Sequence, residues 1–306
     1  MAAVIVEGGV DEGLCWHLGS PVAEARRIAD GRGVLPLTNR EVLEIVGEDR
    51  LQFLHLISSQ QFEGLAAGEA VEALILDAQG HVQHAFTGVD DGARLLAWTE
   101  PGRADALVAH LMRMRFAMRV EARRLDGAAV CWAGEKERLD GVRVACPFGG
   151  VFVVTTSTPE ATVGTWALEA RRIEAGVPRV FVDTDEKTIP NEIGLWGTAL
   201  GKGCYPGQET VAKVHTLGRP PRRLVRLHLD GSLASLPALG APLRLGEKVV
   251  GRVGSSALHH ELGPIALALV KRGVAVAAEL SADGIAAAQE VIVDPDVGLH
   301  VRPRLQ

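Results

Sequence analysis

The densest concentration of reactive residue types is Lys202-Gly203-Cys204-Tyr205-Pro206-Gly207-Gln208-Glu209, which carries one of four cysteines and the only tyrosine of the chain. The segment brings together a thiol that can act as nucleophile or carrier, an amine, a ring able to stack on a planar ligand, and a carboxylate. Tyr205-Pro206-Gly207 reads as a tight turn: proline presets φ at the second position and glycine accepts positive φ at the third. Gln208 and Glu209 then open a short helix to about His215. Glu209 sits in its positive first turn, with Lys213 four residues on as an ion-pair partner. A loop around a structural cysteine accounts for the same residues, and by themselves they leave both readings open.

Charge concentrates between residues 171 and 226. Glu174 and Glu192 lie on either side of an Asp-rich turn, and Lys202, Lys213, Arg219, Arg222, Arg223 and Arg226 face only Glu209 as an acid between 200 and 226. A carboxylate directed into a pocket accepts two hydrogen bonds from a flat amidine-like edge, such as a 2-amino-4-oxopyrimidine. Arginines suit a carboxylate tail, and Tyr205 or Trp196 would stack on a planar ring. A solvated basic surface beside a structural turn is the competing reading. Other chemistries fail on spacing. No GxGxxG follows a strand, and no GxSxG is present. Gly197-Thr198-Ala199-Leu200-Gly201-Lys202-Gly203 is one residue short of a phosphate loop and has Gly203 where a Ser or Thr must bind magnesium. Cys15 with His17 and His259 with His260 are pairs, fewer than the three or four ligands a metal needs, so no metal site is expected.

The elements that must position these residues are of mixed type. Helical periodicity places helices near Pro21–Asp30, from Arg50 to Ser58 with Asp49 as cap, from Pro101 to about Arg113, and over Pro159–Glu174. Glu41–Val46, Ala70–Leu76, Ala93–Trp98, Arg119–Leu125, Cys131–Ala133 and Val151–Thr155 read as strands. After the opening turn, Arg222–Leu229, Val249–Ser256 and Ile265–Val270 are evenly spaced strands, the pattern of a small barrel or jelly roll. Met112, Met114 and Met118, interleaved with Arg113, Arg115 and Arg119, read as a helix-to-strand junction with methionines inward and arginines outward.

Composition bounds the classes. At 306 residues the chain has room for two or three domains, and 47% apolar with 23% charged residues is ordinary for a folded protein. A net charge of −6 argues against bulk nucleic-acid binding. Cys15, Cys131, Cys146 and Cys204 are scattered without CxxC spacing, which suits free thiols in a reducing cytoplasm. The N-terminus lacks a basic region and a long apolar core, so no signal peptide is expected. No apolar run is long enough to span a membrane.

The octapeptide resembles the K-G-C-[aromatic]-x-G-Q-E signature of the YgfZ family, folate-binding proteins related to the T protein (aminomethyltransferase) of the glycine cleavage system. Four further stretches match in order between about residues 35 and 272. They are Val46-Gly47-Glu48-Asp49-Arg50 with Phe53-Leu54; Arg172-Ile173-Glu174-Ala175-Gly176-Val177-Pro178; Pro190-Asn191-Glu192-Ile193-Gly194-Leu195; and Gly251-Arg252-Val253-Gly254-Ser255-Ser256 with Ile265-Ala266-Leu267-Ala268. The resemblance implies an α+β fold in which T-protein-like folate-binding lobes surround a central cavity and a small C-terminal β-barrel follows. The implied division is a folate-binding region over 1–222, with a sub-lobe near 50–125, and a barrel over 223–306.

On this resemblance tetrahydrofolate, or a folate derivative, is the cofactor, and Glu192 grips its pterin. Arg172 and Glu174 line or brace that region, Arg223 lies towards the folate tail, and Tyr205, Gln208 and Glu209 of the signature complete the site. Cys204, which YgfZ proteins have and T proteins generally lack, is the functional thiol, a carrier of a one-carbon unit, a persulfide or a cluster intermediate. T proteins also place a catalytic aspartate where this chain has Gly80-His81-Val82-Gln83-His84, without a carboxylate. An accessory role in iron–sulfur cluster assembly or repair, with iron–sulfur enzymes as partners, is therefore expected over aminomethyl transfer or demethylation. A non-catalytic adaptor is the third alternative.

Overall fold

A computed structural model describes residues 3–233 and 235–300. In chain order the elements are β1 (Val4–Ile5), β2 (Cys15–His17), α1 (Pro21–Ala29), β3 (Val34–Leu37), β4 (Glu41–Val46), α2 (Arg50–Ile57), β5 (Ala70–Leu76), β6 (Val82–Asp90), β7 (Arg94–Thr99), α3 (Ala104–Met114), β8 (Glu121–Arg124) and β9 (Ala129–Ala133). Then come β10 (Val142–Ala145), β11 (Val151–Thr155), α4 (Thr165–Glu174), one 3-10 turn (Pro190–Ile193) and α5 (Gln208–Leu217). The remaining strands are β12 (Arg222–Leu229), β13 (Pro242–Leu245), β14 (Lys248–His259), β15 (Gly263–Lys271), β16 (Leu280–Ala282) and β17 (Ile285–Val291).

These elements form two units, each interrupted in sequence. The first comprises residues 1–75, 84–168 and 197–205; the second comprises 76–83, 169–196 and 206–306. Most of a five-stranded sheet, ordered β5-β6-β7-β4-β8 and antiparallel from β6 to β8, lies in the first unit and shares a core with α2 and α3. Its centre is Leu43, Ile45, Phe53, Leu54, Leu95, Leu107 and Leu111. Met112, Met114 and Met118 pack against this core, while Arg113 and Arg119 are exposed; Arg115, expected outward with them, is half-buried and donates to the Val120 carbonyl at 2.9 Å. A four-stranded sheet, β10-β11-β9-β3, completes the unit with the short β1–β2 pair.

Two local expectations are corrected. Asp49 gives α2 no side-chain cap, because its carboxylate is taken by the Arg119 main-chain N–H (2.8 Å) and guanidinium. The helix expected from Pro159 begins only at Thr165. The backbone around Gly164 passes against Trp16, where an added Cβ would stand 2.0 Å from the Trp16 carbonyl oxygen, and its N–H donates to buried Glu24.

The second unit is built on a closed six-stranded barrel, ordered β12-β15-β14-β13-β16-β17, with β17 pairing back to β12. Alternation along β12 points Val225, Leu227 and Leu229 inward to meet Ala266, Ala268 and Val270 of β15. Register slips between Val253 and Ser256 of β14, a bulge that frees Ser255 from the ladder. Asp183 fills that gap. Its Oδ1 accepts from the Ser255 main-chain N–H (2.6 Å) and hydroxyl, and a Cβ on Gly254 would meet it at 2.5 Å. The glycine-and-serine stretch of β14 is therefore the socket for one buried carboxylate.

Candidate functional site

In the first unit, the signature loop is anchored by Lys202, which is 6% exposed. Its ammonium donates to the main-chain oxygens of His55 and Ser58 (2.6 Å to the latter), the carbonyls at the C-terminal end of α2 that the helix itself leaves unpaired. The Tyr205 ring lies beneath the ammonium, 4.8 Å from centroid to Nζ. Burial lowers the Lys202 pKa to about 8, with the distant Glu63 carboxylate opposing. Lys202 makes no hydrogen bond to Cys204. It fixes the loop, and the loop presents the thiol.

Cys204 is exposed, whereas Cys15, Cys131 and Cys146 are buried. Burial raises the Cys15 thiol, and raises Cys131 to about 11. Of the four thiols, only Cys204 is open to solvent.

In the second unit the chain turns at Gly207, with φ 78°, into α5. A Cβ there would stand 2.4 Å from the Asp77 carbonyl oxygen, so glycine is required by space as well as by φ. Gln208 and Glu209 lie in the first turn of α5, but the expected pair between Glu209 and Lys213 does not form, and Glu209 points to solvent.

Glu192, 1% exposed, is held by Arg222 through both oxygens, Nε to Oε1 at 2.8 Å and Nη2 to Oε2 at 2.7 Å. The same guanidinium grips Asp185, and Thr188 hydroxyl joins both. Burial pushes the Asp185 carboxyl up, but Arg222 outweighs it and holds the pKa at about 2. Arg222 is raised in turn, since the two carboxylates outweigh its own burial. Two carboxylates on one guanidinium leave a formal charge of −1. The adjacent Asn191 donates Nδ2 to the Val211 carbonyl of α5 at 3.2 Å, and its buried Oδ1 has no partner.

The segment 80–84 lacks a carboxylate in sequence, yet the fold supplies one. Asp77 closes the β5–β6 turn, accepting from the N–H groups of Gln79 and His81 and from the His81 and Gln83 side chains. Val82 N–H then donates to Thr188 O at 2.9 Å, which ties this turn to the Asp185–Arg222–Glu192 cluster.

The remaining expected residues are placed as follows. Every donor direction of Arg172 is filled by the chain: Glu169, Asp183 (2.9 Å), Val177 O (2.6 Å) and Ser255 Oγ (2.6 Å). The carboxylates raise its pKa against the opposing effect of burial. Glu174 pairs with Arg171 (2.6 Å) and faces His259 (3.5 Å); burial lifts its pKa, and Arg171 overrides that and lowers it. Arg223 follows the inward parity of β12 and donates to Val274 O (3.0 Å) and Gln289 Oε1 (2.9 Å) at the barrel wall, with its Nε unpaired. Burial lowers its pKa, since no carboxylate contacts it. The structure thus groups Glu192 with Arg222, Asp185 and Thr188, and Arg172 with Asp183, whereas Glu174 and Arg223 have other partners. Asp185, Asn191 and the Asp77–His81 pair were missed in the sequence. The one available signal was D-A-Q-G-H, where an aspartate starts a turn and a histidine ends it. Among the described residues, no group of three or more His, Cys, Asp or Glu could hold a metal. Nor is any described helix long and apolar enough to cross a membrane.

No protein-family model matches the chain. Its fold is similar to that of the glycine cleavage system aminomethyltransferase T from Bartonella henselae, with a TM-score of 0.76 at 14% identity, over 97% of this chain and 95% of that one. The class is therefore an α+β protein of T-protein fold with a closed barrel. In sequence it is 41% identical over 80 residues to the tRNA-modifying protein YgfZ of Yersinia enterocolitica, 24% of each chain. It is 25% identical over 272 residues to a chloroplastic protein of Arabidopsis thaliana named as a transferase, 74% of this chain. The alignment spans 62% of the length of that relative. The chain is thus similar in sequence to a YgfZ protein and to a plant transferase-named protein, and in fold to a glycine cleavage T protein.

Proposed function

We propose that this protein binds tetrahydrofolate and acts as an accessory factor in iron–sulfur cluster assembly or repair, with Cys204 as its working thiol. The observation that carries the reading is the exposed Cys204 on a loop whose amine and ring are both committed to holding it in place. A carrier thiol must reach its partner, and an ordered, solvent-facing loop allows that. Folate binding is supported by the likeness to YgfZ and T proteins and by the acid-rich cluster around Glu192, where the net negative charge suits the amidine edge of a pterin. Glu192, Arg172, Glu174, Tyr205, Gln208, Glu209 and Arg223 are its proposed contacts or braces. The proposed setting is the cytoplasm, with iron–sulfur enzymes as clients. Modification of tRNA, the activity in the name of the Yersinia relative, is then carried out by such clients, in keeping with the net charge of −6 on this chain.

Two measurements test the reading. Calorimetric titration with tetrahydrofolate is expected to show saturable binding that Glu192→Gln weakens; absence of binding to the wild type sinks the folate assignment. In a strain lacking the protein, Cys204→Ala is expected to leave iron–sulfur enzyme activities depressed. Full rescue by that variant removes the thiol from the function.

A further inference from the structure

The turn between β5 and β6 carries an acid–base pair outside the proposed folate contacts. Asp77 Oδ1 accepts from the N–H groups of Gln79 (2.9 Å) and His81 (2.8 Å), which pins the carboxylate in the turn. Its Oδ2 lies 3.1 Å from His81 Nδ1. A carboxylate only accepts, so Nδ1 carries the proton and the imidazole lone pair is on Nε2. No described residue hydrogen-bonds Nε2, and the His81 side chain is 34% exposed. This is the arrangement in which a carboxylate fixes the tautomer of a proton-accepting imidazole.

Three contacts set the pair within a larger site of the same unit. Val82 N–H bonds Thr188 O, and the Thr188 hydroxyl belongs to the Asp185–Arg222–Glu192 cluster. Gly80 lies on the first turn of α5, where a Cβ would stand 2.9 Å from Thr210 Cβ. Asn191 is bonded to that helix one residue further on, at Val211. Asn191 is 4% exposed, and its Nδ2 is committed, so the orphaned Oδ1 is an acceptor without a donor. An exposed proton acceptor and a buried orphan acceptor thus flank one helix turn. The titratable and charged groups on the elements packed there include Asp185, Glu186, Lys187, Glu192 and Arg222, His84 on β6, and Glu209, Lys213 and His215 on α5.

We propose that Asp77 and His81 form an acid–base dyad for a ligand rich in N–H groups bound over the first turn of α5. His81 Nε2 takes a proton from a ligand N–H and returns it, and Asn191 Oδ1 accepts a second N–H. The proton alone moves: the neutral imidazole becomes an imidazolium opposite Asp77 and reverts, with no oxidant or co-reactant. Asp77 is the positioning residue. The inference rests on the folate-binding reading proposed above and deepens it by assigning the proton.

Asp77→Asn separates the dyad from a structural turn. Its Oδ1 can still accept the two turn N–H groups, but its amide donates towards His81 Nδ1 and drives the proton to Nε2. Nitrogen-15 NMR of histidine-labelled full-length protein is expected to show the Nδ1–H tautomer of His81 in the wild type and at least a fivefold shift towards Nε2–H in the variant. With tetrahydrofolate as probe, His81→Gln, which removes the proton acceptor, is expected to weaken binding at least fivefold. An unchanged tautomer in Asp77→Asn, or an unchanged affinity in His81→Gln, overturns the proposal while leaving folate binding intact. If the wild type does not bind tetrahydrofolate, the folate reading fails, and the tautomer measurement alone decides the dyad.

Discussion

The signature loop of the first unit and the charge cluster of the second solve opposite problems. Around Lys202 one cation is buried against main-chain oxygens and a ring, with no carboxylate in contact, and the Cys204 thiol is left outside. Around Arg222 one cation is shared by two carboxylates, and the reactive atoms are the ones the network does not consume. The loop is built to be held still. The cluster is built to hold charge, and its stability and the ligand affinity proposed for it draw on the same groups. Substitutions should therefore separate anchoring from chemistry in the loop and confound them in the cluster.

The largest effect is expected from Arg222→Met. It leaves Glu192 buried and Asp185 half-buried with no counter-charge, a change that costs about 3–5 kcal/mol when a buried pair is broken from one side. Urea unfolding should show the loss, and Glu192→Gln combined with Arg222→Met should recover part of it, because the uncompensated charge has gone. A loss in the double variant as large as in Arg222→Met would mean that packing, not charge, dominates here.

Lys202→Met comes next. Two carbonyls at the end of α2 lose their donor, at a cost of about 1–3 kcal/mol for a buried group left unpaired. The alkylation rate of Cys204 by iodoacetamide should change less than threefold, since Lys202 makes no bond to the thiol. A tenfold fall with an unchanged midpoint would reverse the assignment and make Lys202 the activator of Cys204.

Acid separates the two regions further. Asp185 has a folded pKa of about 2 against an ordinary value of 3.8, so the folded state binds fewer protons between those values. Its contribution is complete above about pH 4 and is lost as pH falls towards 2. At this partly exposed site the effect should be about 1 kcal/mol, discounted for solvent screening. Asp185→Asn should flatten the acid limb of stability measured by urea midpoint between pH 4 and 2, and Lys202→Met should leave it alone.

How much of this the sequence disclosed depends on the range of the forces involved. The barrel strands were legible because alternation is local: Val225, Leu227 and Leu229 announce an inward face. The turn at Gly207 was legible for the same reason, since φ preference belongs to the residue itself. Asp49 shows the limit. Its cap geometry was plausible locally, but Arg119, distant in sequence, offered a charged and bidentate alternative and won. The charge cluster needed Arg222 to return to Glu192 and Asp185 across thirty or more residues, a pairing that no local rule encodes. Arg172 was singled out by resemblance, but only the bulge at Ser255 reveals why it is buried so completely. Asp77 lies outside residues 80–84, the stretch in which sequence alignment places the T-protein carboxylate. The turn hydrogen bonds carry a carboxylate back into that segment from three residues upstream.

The smallest effect on stability should come from the residue on which the proposed function rests. Cys204 is exposed and makes no hydrogen bond, so Cys204→Ser removes no packing and strands no partner, and surface substitutions of this kind stay within about 0.5 kcal/mol. Its chemical signature should instead be complete. Native protein treated with a thiol reagent such as Ellman's should show one fast-reacting thiol, and Cys204→Ser should show none, because Cys15, Cys131 and Cys146 react only as the fold opens. A second fast thiol in the variant would mean that one of the three buried sites opens under native conditions, and the contrast between a presented thiol and sequestered ones would dissolve. If no fast thiol appears in the wild type, the loop shields Cys204 in solution, and the carrier reading loses its main support. The result decides whether the rigidity conferred by Lys202 and Tyr205 serves access to the thiol or only the fold.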